Sequence, residues 1–294
     1  ANRYGWTVGA GVAYALDANW SVNAEYGYYD FGKQTYSSGS GGDAGSFSVA
    51  YVQQAAKFGL SYRPGATGGN GGDSQAWRLN DDLAGVFGTR VAYSSGRFQK
   101  KLYDSADNSR LNSTLTWPDQ AGPGVEAFVR IDHRSGWFLK GTLGGVMIAS
   151  SKLYDEDFCD QPEPFSITVS WAKYGRDFYG TLDLGHNFLQ DEDGNLGGFV
   201  GYGHYRQYLN AYGCEQVARN EFICVPSQMI SPSGLILSET EKWHVLRLGL
   251  TGSVMLTDRL NFSAEAAWLA YASLTARDNH WNRPDINPMD EKGH

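Results

Sequence analysis

The chain has 294 residues, 24 Lys plus Arg against 32 Asp plus Glu for a net charge of −8, and 41% hydrophobic residues, enough apolar content to fold at this size. Mean hydropathy is −0.41 and no uncharged apolar run approaches the roughly 18–20 residues of a membrane helix, which excludes a helical membrane protein but not a membrane barrel, whose strands alternate. No Lys/Arg-rich tract marks a nucleic-acid binder, whereas 37 Gly and 14% aromatics suit tight turns and aromatic girdles.

The chain opens at Ala1 with no initiator Met and no charged-then-apolar leader, so an export signal has been removed or lies upstream. From there the pattern has period two, broken by Gly, Asn, Asp and Pro turns, which is the strand signal. Ten strands are predicted, beginning near Gly5, Trp20, Ser48, Gly85, Glu126, Trp137, Phe178, Leu196, Trp243 and Arg259. The last is the clearest: Leu260, Phe262, Ala264, Ala266, Trp268 and Ala270 share one face, with Asn261, Ser263 and Glu265 on the other. Glu25, Arg90, Lys140, Asp183, Arg247 and Glu265 repeatedly place charge on the polar face. In a soluble sandwich those charges would be solvated; in a membrane barrel they fill the lumen, and the aromatic content favours the barrel.

Short turns at 15–19, 191–195 and 256–258 alternate with long polar connections at 32–47 and 213–242. Bacterial barrels keep short turns in the periplasm and long loops outside. The fold class expected is therefore all-β, an antiparallel transmembrane β-barrel of the bacterial outer membrane. That assignment leaves both ends of the chain outside the cell, so a fragment of a longer protein is expected. The Gly-rich stretch 64–84 reads as a linker between segments 1–63 and 85–294, and the tail from Asn287 to His294 as a polar loop.

Three cysteines make no disulfide framework and no zinc spacing. Cys214 and Cys224 share one polar loop and either close a small ring in an oxidising compartment or stay as unpaired thiols. No metal site or organic cofactor is expected.

Residues 5–63, through the runs Gly5 to Leu16, Trp20 to Tyr26 and Lys57 to Tyr62, resemble the last three strands of small OmpA-type barrels, which include outer-membrane immunogenic proteins. Residues 86–282 resemble the first seven strands of an omptin, the ten-stranded outer-membrane endopeptidase family. The resemblance runs through Tyr93 to Arg97, Leu102 to Asp104, Leu143 to Gly145, Tyr154 to Phe158, Gly249 to Ser253 and Asp278 to His280.

Omptins carry an Asp-x-Asp pair at the outer end of the third strand and an Asp-x-His pair at the outer end of the seventh. Asp155 and Asp157 fall at the first place, Asp278 and His280 at the second. Residues two apart on a strand share a face, so each pair points one way. The resemblance implies His280 as general base oriented by Asp278, with Asp155 and Asp157 holding the attacked water from the other side. Without that resemblance, such acidic loops read as solvated surface.

The chain departs from the family at the substrate pocket, where Lys100 and Ala276 stand at two acidic positions, and Lys173 at a third. A cationic pocket is expected, which repels basic substrates and removes dibasic specificity. The family's need for lipopolysaccharide as activator implies a headgroup contact at Tyr202, Arg206 and Lys242, which otherwise read as ordinary girdle residues. The partners expected are thus outer-membrane lipid, lipopolysaccharide, a polypeptide substrate and a membrane-protein partner. The alternative is a non-catalytic barrel with a structural, adhesion or partner-binding role; a porin is a third reading, disfavoured because the charges fill a ten-stranded lumen. Three more strands are needed after His280, and the expectation is that segments 1–63 and 85–294 close one barrel together, since open edges are not tolerated in lipid.

Overall fold

A computed structural model describes residues 4–40, 44–63, 78–80, 82–104, 107, 109–158, 161–191, 193–218, 230–285 and 287–293. All regular structure among them is β: β1 (Gly5–Ala15), β2 (Trp20–Ser40), β3 (Ala44–Tyr62), β4 (Arg78–Asn80), β5 (Leu83–Asp104), β6 (Leu111–His133), β7 (Trp137–Ile148), β8 (Lys152–Asp157), β9 (Ser166–Ala172), β10 (Gly175–Gln190), β11 (Gly194–Gln216), β12 (Ile230–Met255), β13 (Leu260–His280) and β14 (Met289–Gly293). No helix among the described residues is long and apolar enough to cross a membrane.

The sheet closes on itself. β1 pairs antiparallel with β13, from Gly5 opposite Leu269 to Tyr14 opposite Leu260, β3 pairs with β5, and β10 with β11. The result is a ring of about ten long strands. β1–β3 thus stand where the omptin resemblance asks for three strands after His280, and no lipid-level edge is left between β13 and β5.

Several strands are longer than a bilayer requires. A crossing takes about 9–11 residues, yet β5 has 22, β6 has 23 and β12 has 26. Their lower halves carry the lipid-facing belt: Val8, Val12, Phe58, Val91, Val125, Leu143, Leu182, Leu248 and Leu250 are exposed. Aromatic rings mark its two borders, with Trp6 against Tyr28 and Trp20 against Tyr62. Inside the belt two charge clusters fill the lumen. Lys57 and Arg90 pair with Glu25 and Glu126 at 2.7–3.2 Å; Arg247 pairs with Asp183 and Glu265 at 2.9 and 2.7 Å, and Lys140 joins the same carboxylates. Each cluster sets two cations against two anions. The cavity among them is about 200 Å³, room for about seven waters at liquid density.

Above the belt the alternation inverts. Phe31, Phe47, Tyr51, Phe98, Leu115, Trp117, Leu153, Leu209, Leu237, Trp243 and Leu274 turn inward into one apolar core, while Arg277, Lys152 and Tyr154 face outward. Two segments expected as long loops are therefore mostly strand: β2 and β3 take up most of 32–47, and β12 starts at Ile230. The same holds for the tail. Instead of a loop, β14 pairs with β13 from Asp278 opposite Met289 to Leu274 opposite Gly293, and with β2 at Ser38 and Ser40. It fills the gap between those strands above the start of β1 and satisfies backbone groups that would otherwise be unpaired. Of the expected linker 64–84, residues 64–77 and 81 lie outside the described residues, whereas Arg78–Asn80 form β4 and Leu83 opens β5.

Candidate active site

β7 and β8 form one interrupted strand, broken at Ala149–Ser151, that carries Leu153, Asp155 and Asp157 above the membrane. β8 pairs with β6, placing Asp155 opposite Leu115 and Asp157 opposite Ser113. Leu153 is buried in the apolar core, and period two then turns Asp155 and Asp157 to the same interior side. On β13 the buried run Ala272, Leu274, Ala276 and Asp278 fixes the inward face, so His280 points inward as well. Asp278 is fully buried and His280 is 18% exposed, with 3.4 Å between His280 Nδ1 and Asp278 Oδ1.

The two pairs meet. Burial pushes Asp155 up to about 8, with Asp157, Asp278 and Glu239 adding to the shift and a hydrogen bond from Ser113 opposing it; Ser113 Oγ donates to Asp155 Oδ1 at 3.2 Å. Asp157 is also raised by burial, against the pull of Ser113, His280 and Arg283. Asp155 thus feels Asp278 while Asp157 feels His280, as expected of two pairs facing across one mouth. An aspartate pair that retains a proton beside a histidine held by a carboxylate can polarise a water from both sides.

Below the dyad lies a cluster that the sequence reading missed. Lys100 has no exposed surface, and its Nζ lies 2.9 Å from Glu239 Oε1, 3.1 Å from Glu291 Oε2 and 3.4 Å from Asp278 Oδ2. Trp117 Nε1 donates to Glu239 Oε2 at 2.9 Å. Glu241 is buried alongside, accepts no hydrogen bond among the described residues, and is raised well above the usual carboxylate range by burial. Burial likewise raises Glu239, against the pull of Lys100, and lifts Glu291 to about 7. A period-two signal runs through Leu237, Glu239 and Glu241 towards Trp243, but it falls in the stretch 213–242 that the sequence presents as a long polar connection.

This geometry corrects the expected cationic pocket. Lys100 is withdrawn from the surface among buried carboxylates, so it presents no cation to a substrate; Ala276 is buried beside it in the apolar core. Lys173 is exposed, donates to Pro232 O at 2.9 Å and stands over the Tyr212 ring, away from the dyad.

On the outer wall Tyr202 is half exposed and bonds His244 Nδ1. Arg206 lies opposite Lys242 across β11 and β12, its guanidinium over the Tyr208 ring at 4.2 Å; Arg176 approaches the same ring at 4.7 Å. Cys214 is buried and disulfide-bonded, while Cys224 lies outside the described residues. Among the described residues no group of three or more His, Cys, Asp or Glu could hold a metal ion.

The outer membrane protein beta-barrel domain family matches residues 1–63. The chain is a bacterial outer-membrane β-barrel. Its long extensions stand outside the cell and its short turns in the periplasm. No curated protein matches it. Among solved structures it is similar to the TodX monoaromatic hydrocarbon channel deltaS2 mutant (9% identity, TM-score 0.31, covering 95% of this chain and 90% of that one). It is also similar to a Pseudomonas aeruginosa FadL homologue (10%, 0.29, 92% and 89%) and to the beta domain of the Bordetella autotransporter BrkA (6%, 0.21, 91% and 99%). At such values these likenesses bear on neither substrate nor activity.

Proposed function

We propose that the chain is an omptin-like outer-membrane endopeptidase whose site lies at the extracellular mouth of the barrel. The observation that supports this is that the Asp155/Asp157 and Asp278/His280 pairs, from strands about 120 residues apart in sequence, both turn to the interior above the apolar core and lie within electrostatic reach of each other. His280 takes the proton of a water, Asp278 orients the imidazole and receives its developing charge, and Asp155 and Asp157 hold the water and the scissile carbonyl from the opposite wall. The attack is direct, with no acyl-enzyme: the water oxygen bonds to the carbonyl carbon, the C–N bond then breaks, and His280 passes the proton it took to the departing amine.

With Lys100 buried and Ala276 at the other position, neither grips a basic side chain beside the cleaved bond, so cleavage is not dibasic-specific. Arg206, Lys242 and Tyr202 hold a lipopolysaccharide phosphate by charge-assisted hydrogen bonds on the outer wall.

The test is digestion of a mixed-sequence peptide library by the purified protein in lipopolysaccharide-containing micelles, beside Asp278→Asn and Arg206→Ala/Lys242→Ala. Cleavage lost in the first variant, and weakened in the second only where lipopolysaccharide is present, supports the reading; a wild type inert in every condition refutes it. The filled lumen, with its two neutral charge clusters, favours a non-catalytic structural or partner-binding barrel as the second reading and disfavours an open channel.

A further inference from the structure

Of the carboxylates around Lys100, Asp278 alone also touches the histidine. Its Oδ2 lies 3.4 Å from Lys100 Nζ and its Oδ1 3.4 Å from His280 Nδ1. The other two ion-pair partners of Lys100, Glu239 and Glu291, come from β12 and from the short seam strand β14. Lys100, Glu239 and Asp278 are fully buried, and Glu241 and Glu291 almost so.

We propose that Lys100 is a positioning residue of the dyad: its ammonium, braced by Glu239 and Glu291, anchors Oδ2 of Asp278 so that the carboxylate stays charged and presents Oδ1 to His280. This rests on the endopeptidase reading for its consequence in catalysis, though not for its consequence in structure.

The argument is one of charge in a water-excluded place. Four acids, Asp278, Glu239, Glu241 and Glu291, share one cation, and Asp155 adds its own repulsion from β8. Carboxylates this close cannot all ionise without a counter-charge, and a buried charge that loses its partner is neutralised rather than tolerated. Glu239 keeps the Trp117 donor whatever happens to Lys100; Asp278 has no second donor, since its Oδ1 and His280 Nδ1, 3.4 Å apart, make no hydrogen bond among the described residues. Removing the ammonium therefore leaves Oδ2 of Asp278 without its ion-pair partner while Glu239 still holds a donor. On the other side His280 faces Asp157 from β8, with Arg283 and Asp285 beyond, and none of these replaces the contact with Asp278.

The experiment is the pH profile of peptide cleavage by Lys100→Met in lipopolysaccharide micelles, together with carboxyl-¹³C aspartate labelling in which the Asp278 resonance is identified by its loss in Asp278→Asn. In Lys100→Met the acid limb of kcat/KM should move up by about one pH unit, a tenfold loss on that limb, with smaller losses at alkaline pH. The Asp278 resonance should report proton uptake at a higher pH than in the wild type. Lys100→Met/Glu239→Gln/Glu291→Gln, which removes the surplus carboxylates with the lysine, should bring both back towards wild type. It also supplies a foldable variant should the single substitution not assemble.

A loss equal at every pH, or an Asp278 resonance that does not move, overturns the proposal and leaves Lys100 a packing residue. If the resonance moves but neither protein cleaves any peptide, the positioning role stands and the endopeptidase reading falls.

Discussion

In the bilayer the strands turn Val8, Leu182 and Leu248 outward and Lys57, Arg90 and Arg247 inward; further along the same sheet Phe98, Trp117 and Leu274 point in and Lys152 and Arg277 point out. One sheet runs through two solvents. Lipid demands an apolar exterior and lets charge neutralise charge within, as in Lys57 with Glu126. Water demands the reverse, and the extracellular half obtains a packed aromatic core. The inversion sets where the proposed site lies: Asp155, Asp157 and His280 turn inward where the apolar core ends.

The sharpest way to separate the zones is by activity. His280→Ala should reduce peptide cleavage by about 10²–10⁴-fold, the usual worth of a general base, whereas Glu126→Gln in the lumen should leave kcat within about twofold while lowering the urea midpoint. Equal losses in the two variants would break the distinction.

Next in size is the extracellular core. Trp117→Ala removes a fully buried ring and the donor to Glu239, and should cost about 3–5 kcal/mol in unfolding from micelles or vesicles. Substituting the lipid-exposed Trp137 should cost far less.

The outward faces should then differ in sign of preference. Leu182→Arg, on the lipid face, should cost about 2–4 kcal/mol in a bilayer. Tyr154→Arg, outward on β8 in water, should change stability by no more than about 0.5 kcal/mol.

The smallest effect is that of pH on stability. Asp155 sits well above its unfolded-state value, at about 8, so between about pH 4 and pH 8 the folded state holds more protons than the unfolded chain. The contribution of Asp155 is full below about pH 4 and is lost as pH rises through 8. Unfolding midpoints should fall across that window, and Asp155→Asn should flatten the decline.

The same inversion decides what the sequence disclosed. Leu260, Phe262, Ala264 and Trp268 read as a membrane strand at once, because lipid-facing alternation with turn residues at both ends has no close competitor. Leu237, Glu239 and Glu241 alternate as strictly, but among the polar residues of 213–242 they read as a long connection. The Asp-x-Asp and Asp-x-His pairs were legible through period two and the resemblance to omptins. Glu291 was not, because its role depends on a five-residue strand between β13 and β2. Nor was the neutralised state of Lys100: a lysine in a sequence announces a cation, and only packing shows that three carboxylates surround it.

The most direct measurement of the whole account is cleavage of an added, membrane-impermeant peptide by intact cells that display the protein, compared with cells displaying His280→Ala or Glu126→Gln at equal surface levels. The account predicts cleavage by the wild type and by Glu126→Gln, and none by His280→Ala. Cleavage that survives His280→Ala, or a wild type that leaves the peptide whole, would contradict it.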